Sequence, residues 1–205
     1  MSTLRSGSTL RMTRLAILTA IVGVLSYFGG FIKIGGLASI SLTLVPVVLG
    51  AALLGPRAGA WLGAVSGAVF FLTADAAFWL NLSIFGTILT VMVKGTLAGL
   101  LAGLAYRLLE KKNLFAALLT AAAICPIINT GIFLLGCLVF FFDAVKEMAG
   151  AADSSVFAFL IVVFVGLNFV FELLLNLLLT PALQRIITAI APKKKRSAPL
   201  PPKEV

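Results

Sequence analysis

The chain has 205 residues, 61% of them hydrophobic and only 11% charged, where ordinary soluble domains carry about 25% charged residues. That balance excludes a soluble globular domain and reads as an integral membrane protein, while the absence of histidine removes the commonest general base and metal ligand. A formal charge of +9 would suit nucleic acid in a soluble chain, but here the cations fall in loops and tails, where they set orientation in a bilayer, so no nucleic acid is expected.

Residues 1–14 form a basic lead with Arg5, Arg11 and Arg14, followed by a first apolar helix expected over 15–28. A basic start before an apolar run also describes a secretory signal. This run, however, ends in Tyr27-Phe28-Gly29-Gly30 without a small-x-small cleavage site, and another apolar block follows. The glycine-rich stretch 29–41, which holds Lys33, reads as a loop. A short second helix is expected over 42–54, with Pro46 early enough to be tolerated, and Gly55-Pro56-Arg57 reads as a tight turn. The third helix, 58–72, extends a four-residue spacing of Gly55, Gly59, Gly63 and Gly67, a face that another helix can approach closely. Residues 73–83, TADAAFWLNLS, read as a second loop.

The fourth helix, 83–107, is long enough to cross a hydrocarbon core of ~30 Å, which takes ~20 apolar residues. Gly95, Gly99 and Gly103 recur on one face of it, and Thr87, Thr90 and Lys94 share another. A lysine at such depth costs several kcal/mol unless it meets a partner or water. After a charged turn, 108–113, the fifth helix (114–142) carries Pro126, Asn129 and Thr130, and a kink is expected at the proline. Residues 143–154 read as a third loop. The sixth helix, 155–179, presents Asn168, Glu172 and Asn176 on one face, and Thr180-Pro181 leads into a short amphipathic piece and a disordered Lys/Pro-rich tail.

The expected fold is therefore all-α, a membrane bundle of six transmembrane helices over 15–182, flanked by a basic N-terminus (1–14) and a basic tail (183–205). Six spans put both termini on one side. All but three of the sixteen Lys and Arg fall there; Lys33 and Lys146 lie opposite and Lys94 within. Both termini are thus expected in the cytoplasm, in a multi-pass protein of the cell membrane. Trp61 and Tyr106 agree at the inner interface, Tyr27 and Trp79 at the outer one.

Lys94 and Glu172 are the ionisable residues placed deep in the membrane. They either pair with each other and pin the fourth helix to the sixth, or line a substrate cavity; one member of a pair can also serve a ligand. Asn129 and Asn168 fall at comparable depth, so that a small polar molecule is surrounded by amides near a cation. Asn176 serves equally well as interhelical hydrogen-bond glue. Lys94, with Lys33 in the first loop, favours a cargo bearing a carboxylate or phosphate. Trp79, Phe28, Phe31 and Phe78 near the outer mouth either stack on a ring or anchor at the interface. Signatures of catalysis are missing. Gly63-Ala64-Val65-Ser66-Gly67 displaces the serine from a GxSxG elbow by one, no GxxxxGK(S/T) phosphate loop occurs, and no Cys/His metal pattern is present. Cys125 and Cys137 lie roughly 18 Å apart along one helix, too far to bridge. The expectation is a non-enzyme without cofactor or metal.

The first helix contains Ala16-Ile17-Leu18-Thr19-Ala20, an AxxxA patch, in the half nearest the basic lead. With six helices at this size, and with the run LVPVVLGAALLGPRAGAWLGAVSGAVFFL at 44–72, the chain resembles the substrate-binding (S) subunits of energy-coupling-factor vitamin transporters, in their riboflavin and pantothenate type branch. The resemblance covers about residues 14–182. It implies a subunit that captures a vitamin from outside with the first outer loop and helices four to six. A transmembrane coupling subunit and two cytoplasmic ATPases would supply the energy. It places Ala16 and Ala20 against the coupling subunit and implies that the S subunit topples in the bilayer to release its cargo. The basic tail departs from what the family requires. No motif distinguishes pantothenate, folate or riboflavin. Two other readings stand beside it: a stand-alone ion-coupled carrier with a Glu172–Lys94 proton relay, and a scaffold that binds no ligand.

Overall fold

The computed structural model describes residues 2–29 and 41–190, and of residues 2–8, 164, 165 and 167 the backbone alone. Lys33, Phe31 and the rest of the first loop from residue 30 to 40, and the tail beyond 190, lie outside the described residues.

Helix α1 (Ser2–Gly29) starts well before the expected residue 15, because no proline interrupts the basic lead and the helix runs back through it. Helix α2 (Leu44–Leu54) ends at Gly55, whose φ of +96° lies in the left-handed region that glycine enters without strain. The chain reverses there into α3 (Pro56–Phe70), with the proline at the start, where its missing N–H is harmless. The expected loop 73–83 is instead helix α4 (Ala74–Leu82), bent 84° from α3. Its alanines and leucines favour helix, and Asp75 sits in the first turn, where the helix dipole favours an acid.

Ser83 then caps α5 (Ile84–Leu109), its Oγ accepting the Gly86 N–H at 3.1 Å, and Asn113 caps α6 (Leu114–Phe140) by accepting from Ala116 N at 3.1 Å. Helix α6 continues through Pro126. Part of the third expected loop is helix α7 (Phe142–Ala151). The last stretch comprises α8 (Val156–Phe159), a π-helical segment Leu160–Gly166 and α9 (Leu167–Ile190). Helix α9 passes through Pro181 to Ile190, across the expected boundary at 182. Burial of Leu183 and Ile187 in the main apolar cluster holds it there.

The molecule is an all-α membrane bundle. Four described helical runs are long and apolar enough to cross a bilayer: Thr9–Gly29, α5, α6 and Val156–Ile190. The bent pair α3–α4 makes up to a fifth, and α2 is apolar but shorter.

Helix α5 lies between α3 and α6, and its two stripes explain why. The glycines of α5 meet those of α3: Gly59 faces Gly99, Gly63 faces Gly95 and Gly67 faces Val91, an antiparallel register. A Cβ on Gly63 would strike the Gly95 carbonyl, so backbone packs on backbone. The polar stripe is thereby turned away from α3's glycines. Two apolar clusters fill the bundle. One gathers Val22, Val48, Leu62, Ala102 and Leu118 with Leu183, and the other gathers Trp79, Cys137, Phe141, Val145 and Phe159. On α5, α6 and α9 the polar residues Lys94, Asn129 and Glu172 fall between them.

Candidate functional site

Those three helices bring together four of the polar residues singled out in the sequence. Lys94 from α5, Asn129 from α6, and Asn168 and Glu172 from α9 line one cavity of about 100 Å³, with room for several waters. A second lobe of about 60 Å³ adjoins it, sharing Lys94, Phe70, Val91, Asn129 and Ser41, and is lined further by the hydroxyls of Ser26, Thr43 and Ser66. Ser26 donates to Ser66 at 3.0 Å, and Thr43 and Ser66 share a hydrogen bond at 3.2 Å, which ties α1, the start of α2 and α3 together on that side.

The cavity's cation, Lys94, pairs directly with neither acid of the lining, Glu172 or Asp75. The Lys94 ammonium lies over two phenyl rings, 4.9 Å from the centre of Phe133 and 5.7 Å from that of Phe70. Among the described residues no carboxylate comes within 4.0 Å of it. Glu172 is 5% exposed, and its Oε1 accepts the Ser41 backbone N–H at 2.7 Å, so the carboxylate holds the chain entering α2. The pin between the fourth and sixth expected spans is therefore a cavity with charge on either wall.

Two buried oxygens lining the cavity, Thr90 Oγ1 and Asn168 Oδ1, have no hydrogen-bond partner among the described residues. Burial without a partner costs about 1–3 kcal/mol for such a group; the Thr90 side chain packs against Gly136 of α6. Asn176 Oδ1 is a third buried oxygen with no partner among the described residues, but Asn176 lies outside the cavity lining, and its Nδ2 donates to the Glu172 carbonyl at 2.8 Å, within its own helix rather than across to another.

Trp79 faces the interior of the bundle. It is 6% exposed, with its ring edge-on to Phe133 and to Phe141 at 5.2 Å each. The Thr87 hydroxyl donates to the Trp79 carbonyl at 2.7 Å, which fastens α4 to α5. The bend between α3 and α4 thus lays an indole along the cavity wall. Phe28 and Phe78, by contrast, are 60% and 44% exposed. Ser41, Asp75, Phe70, Phe133 and Phe169 line the cavity without having been singled out for it. Ser41 and Asp75 fell in expected loops, and an apolar span offers no signal that separates a phenylalanine facing a cavity from one facing lipid. Thr90 did carry a signal, four residues before Lys94 on the same face.

Ala16 and Ala20 are exposed on the outer side of α1, flanked by Ile17 and Val24, 55% and 56% exposed. Trp61 of α3 donates Nε1–H to Thr19 Oγ1 at 3.2 Å, and Leu18 and Val22 are buried, which sets the rotation of α1 and turns both alanines away from the bundle.

A family model described as ECF transporter, substrate-specific component, matches residues 10–184. No curated protein and no solved structure matches the chain.

Proposed function

The chain belongs to the family of substrate-specific components of ECF transporters, and from that premise we propose that its cavity takes up an organic anion from outside the cell. A member of this family is a multi-pass membrane protein without catalytic activity, the binding subunit of an importer whose coupling and ATPase subunits supply the energy. In the proposed reading Lys94 meets a carboxylate or phosphate of the cargo, and Thr90 donates its hydroxyl to the same group. Asn168 Oδ1 accepts from a cargo N–H or O–H, Asn129 contributes a further amide, and Trp79 with Phe133 bounds a flat or aliphatic portion. Glu172 acts as the deep wall and holds Ser41 in place. Lys33, which precedes α2 in the sequence, is the second cation proposed for the cargo.

The observation that carries this reading is an ammonium facing a cavity with no carboxylate within 4.0 Å, beside two oxygens that lack partners, among the described residues. The Lys94 ammonium favours an anionic group at its own position, since the two acids of the lining, Glu172 and Asp75, stand more than 4.0 Å from it, and the open acceptor favours a cargo that also carries a hydroxyl or amide N–H. A vitamin of the riboflavin or pantothenate branch is the proposed class, supported by the run at 44–72.

We propose further that the chain crosses the membrane six times with both ends in the cytoplasm. Five long or broken spans with α2 as a short sixth support this count, and the bias of lysine and arginine supports the orientation. Ala16 and Ala20 would then face the transmembrane coupling subunit, with two ATPases below it in the cytoplasm.

A thermal-shift screen of the purified protein against B vitamins and nucleobases tests the cargo. The expected result is stabilisation by one organic anion, with Lys94→Met weakening its binding at least about tenfold while expression and the unliganded melting temperature hold. Unchanged affinity in Lys94→Met would make Lys94 a structural residue and remove the basis for an anionic cargo.

A further inference from the structure

Four guanidinium groups converge about 20 Å along α5 from Lys94, where the early turns of α1 and the start of α3 meet the end of α5. Arg11, Arg14 and Arg107 line one hollow of about 420 Å³, and Arg11, Arg57 and Arg107 line an adjoining one of about 480 Å³. A third, of about 340 Å³, shares Arg11 and Arg57. Glu110 is the one acidic residue lining any of the three. Among the described residues none of the four arginines has a carboxylate within 4.0 Å; Arg11 donates through Nη2 to the Leu54 carbonyl at 3.1 Å.

Orienting the chain in a bilayer requires only that such charges lie on one side; it does not require them to meet in a hollow. The walls say more. On α3 and α5 the side chains that line the groove beyond the arginine lie on its membrane-centre side, Ala58 and Trp61 after Arg57, Leu104 and Leu100 before Arg107; on α1 Leu15 lies beyond both arginines, while Leu10 and Met12 lie beside Arg11. Leu100 is ~10 Å along the axis from Arg107. Met12, Trp61 and Leu104 are 70%, 54% and 43% exposed, so the groove opens toward lipid. A basic head leading into apolar walls has the polarity of a phospholipid and not that of a soluble anion.

We propose that this basin binds the phosphate headgroup of one anionic phospholipid, whose acyl chains lie along the groove between α1, α3 and α5. Arginine suits the task because its planar fork grips phosphate oxygens in pairs and stays charged. Basic pockets between helices on the cytoplasmic side are sites of this type.

The test uses the full chain, stripped of lipid in a neutral detergent, then titrated with phosphatidylglycerol or phosphatidylcholine, with retained lipid counted by native mass spectrometry. The expected result is retention of phosphatidylglycerol over phosphatidylcholine. Arg57→Gln with Arg107→Gln should bind it about thirtyfold more weakly, from about one interaction lost per cation. Arg57→Lys with Arg107→Lys should keep most of the affinity, and since Arg57 and Arg107 are exposed, neither pair should move the melting temperature. Equal retention of the two lipids, or equal retention by the wild type and the glutamine pair, overturns the proposal. So does displacement of the lipid by millimolar inorganic phosphate, which would assign the basin to a soluble anion. Loss of assembly with the coupling subunit in the glutamine pair, with lipid retention unchanged, would assign it to an acidic segment of that partner and overturn it as well.

Discussion

Ten residues into its helix, the Lys94 ammonium is held by the faces of Phe70 and Phe133, each contact worth about 0.5–2 kcal/mol, and by a cavity able to admit water. Neither is as strong as a buried hydrogen-bonded carboxylate, which is what the proposed role of Lys94 toward an anion requires. Thr90 makes the same point from the opposite direction, because the residue is 4% exposed and its hydroxyl oxygen has no partner among the described residues. Replacing it by the isosteric valine removes an unsatisfied group. Thr90→Val is therefore expected to leave the unliganded protein equally stable or up to about 1 kcal/mol more stable, while the cargo-induced thermal shift falls. Melting curves with and without cargo check both parts at once. A loss of unliganded stability would mean that the hydroxyl already has a structural partner.

At the level of the helix, the glycines of α3 and α5 are the tightest joint in the bundle. A methyl group on Gly63 would collide with the Gly95 carbonyl, a backbone atom that cannot swing aside, whereas Gly23 of α1 has nothing within 4 Å of the same position. Gly63→Ala is expected to destabilise the protein by about 1–3 kcal/mol or to prevent its accumulation, and Gly23→Ala to be tolerated. Urea or thermal unfolding in detergent separates the two. The joint also has a consequence for the site. With α3 and α5 packed backbone to backbone, Phe70 at the end of one and Lys94 on the other are held at a fixed spacing.

Over the whole molecule, helix α1 stands apart. Only 17% of its membrane-length window is buried within the chain, the smallest share among the four long spans. Helix α1 is pinned by Thr19 against Trp61 and by Ser26 against Ser66, leaving the face of Ala16 and Ala20 flat and outward. For a component of a multi-subunit importer, that is the surface proposed for the coupling subunit. Ala16→Leu with Ala20→Leu is expected to abolish co-purification with the coupling subunit while the cargo-induced thermal shift is unchanged. Because the alanines are remote from the cavity lining, loss of cargo binding in the same variant would place them in the bundle's own packing.

Composition and period alone determined that this chain is a helical membrane protein. Charges and amides that interrupt apolar helices are costly, so Lys94, Asn129, Asn168 and Glu172 stood out before any packing was known. The two glycine tapes were legible for a similar reason, since small residues every fourth position make a face; that they pack on each other is a matter of register between distant segments. Tertiary structure alone decided that α4 is a helix bent 84° from α3, that Trp79 is buried in the bundle, and that Glu172 turns to the Ser41 backbone rather than to Lys94. Helix α9 running through Pro181 belongs with these, because the burial of Leu183 and Ile187 outweighs a proline that, read locally, ends a span. Local sequence states which groups are expensive to bury; only the packed bundle determines which neighbour offsets each one.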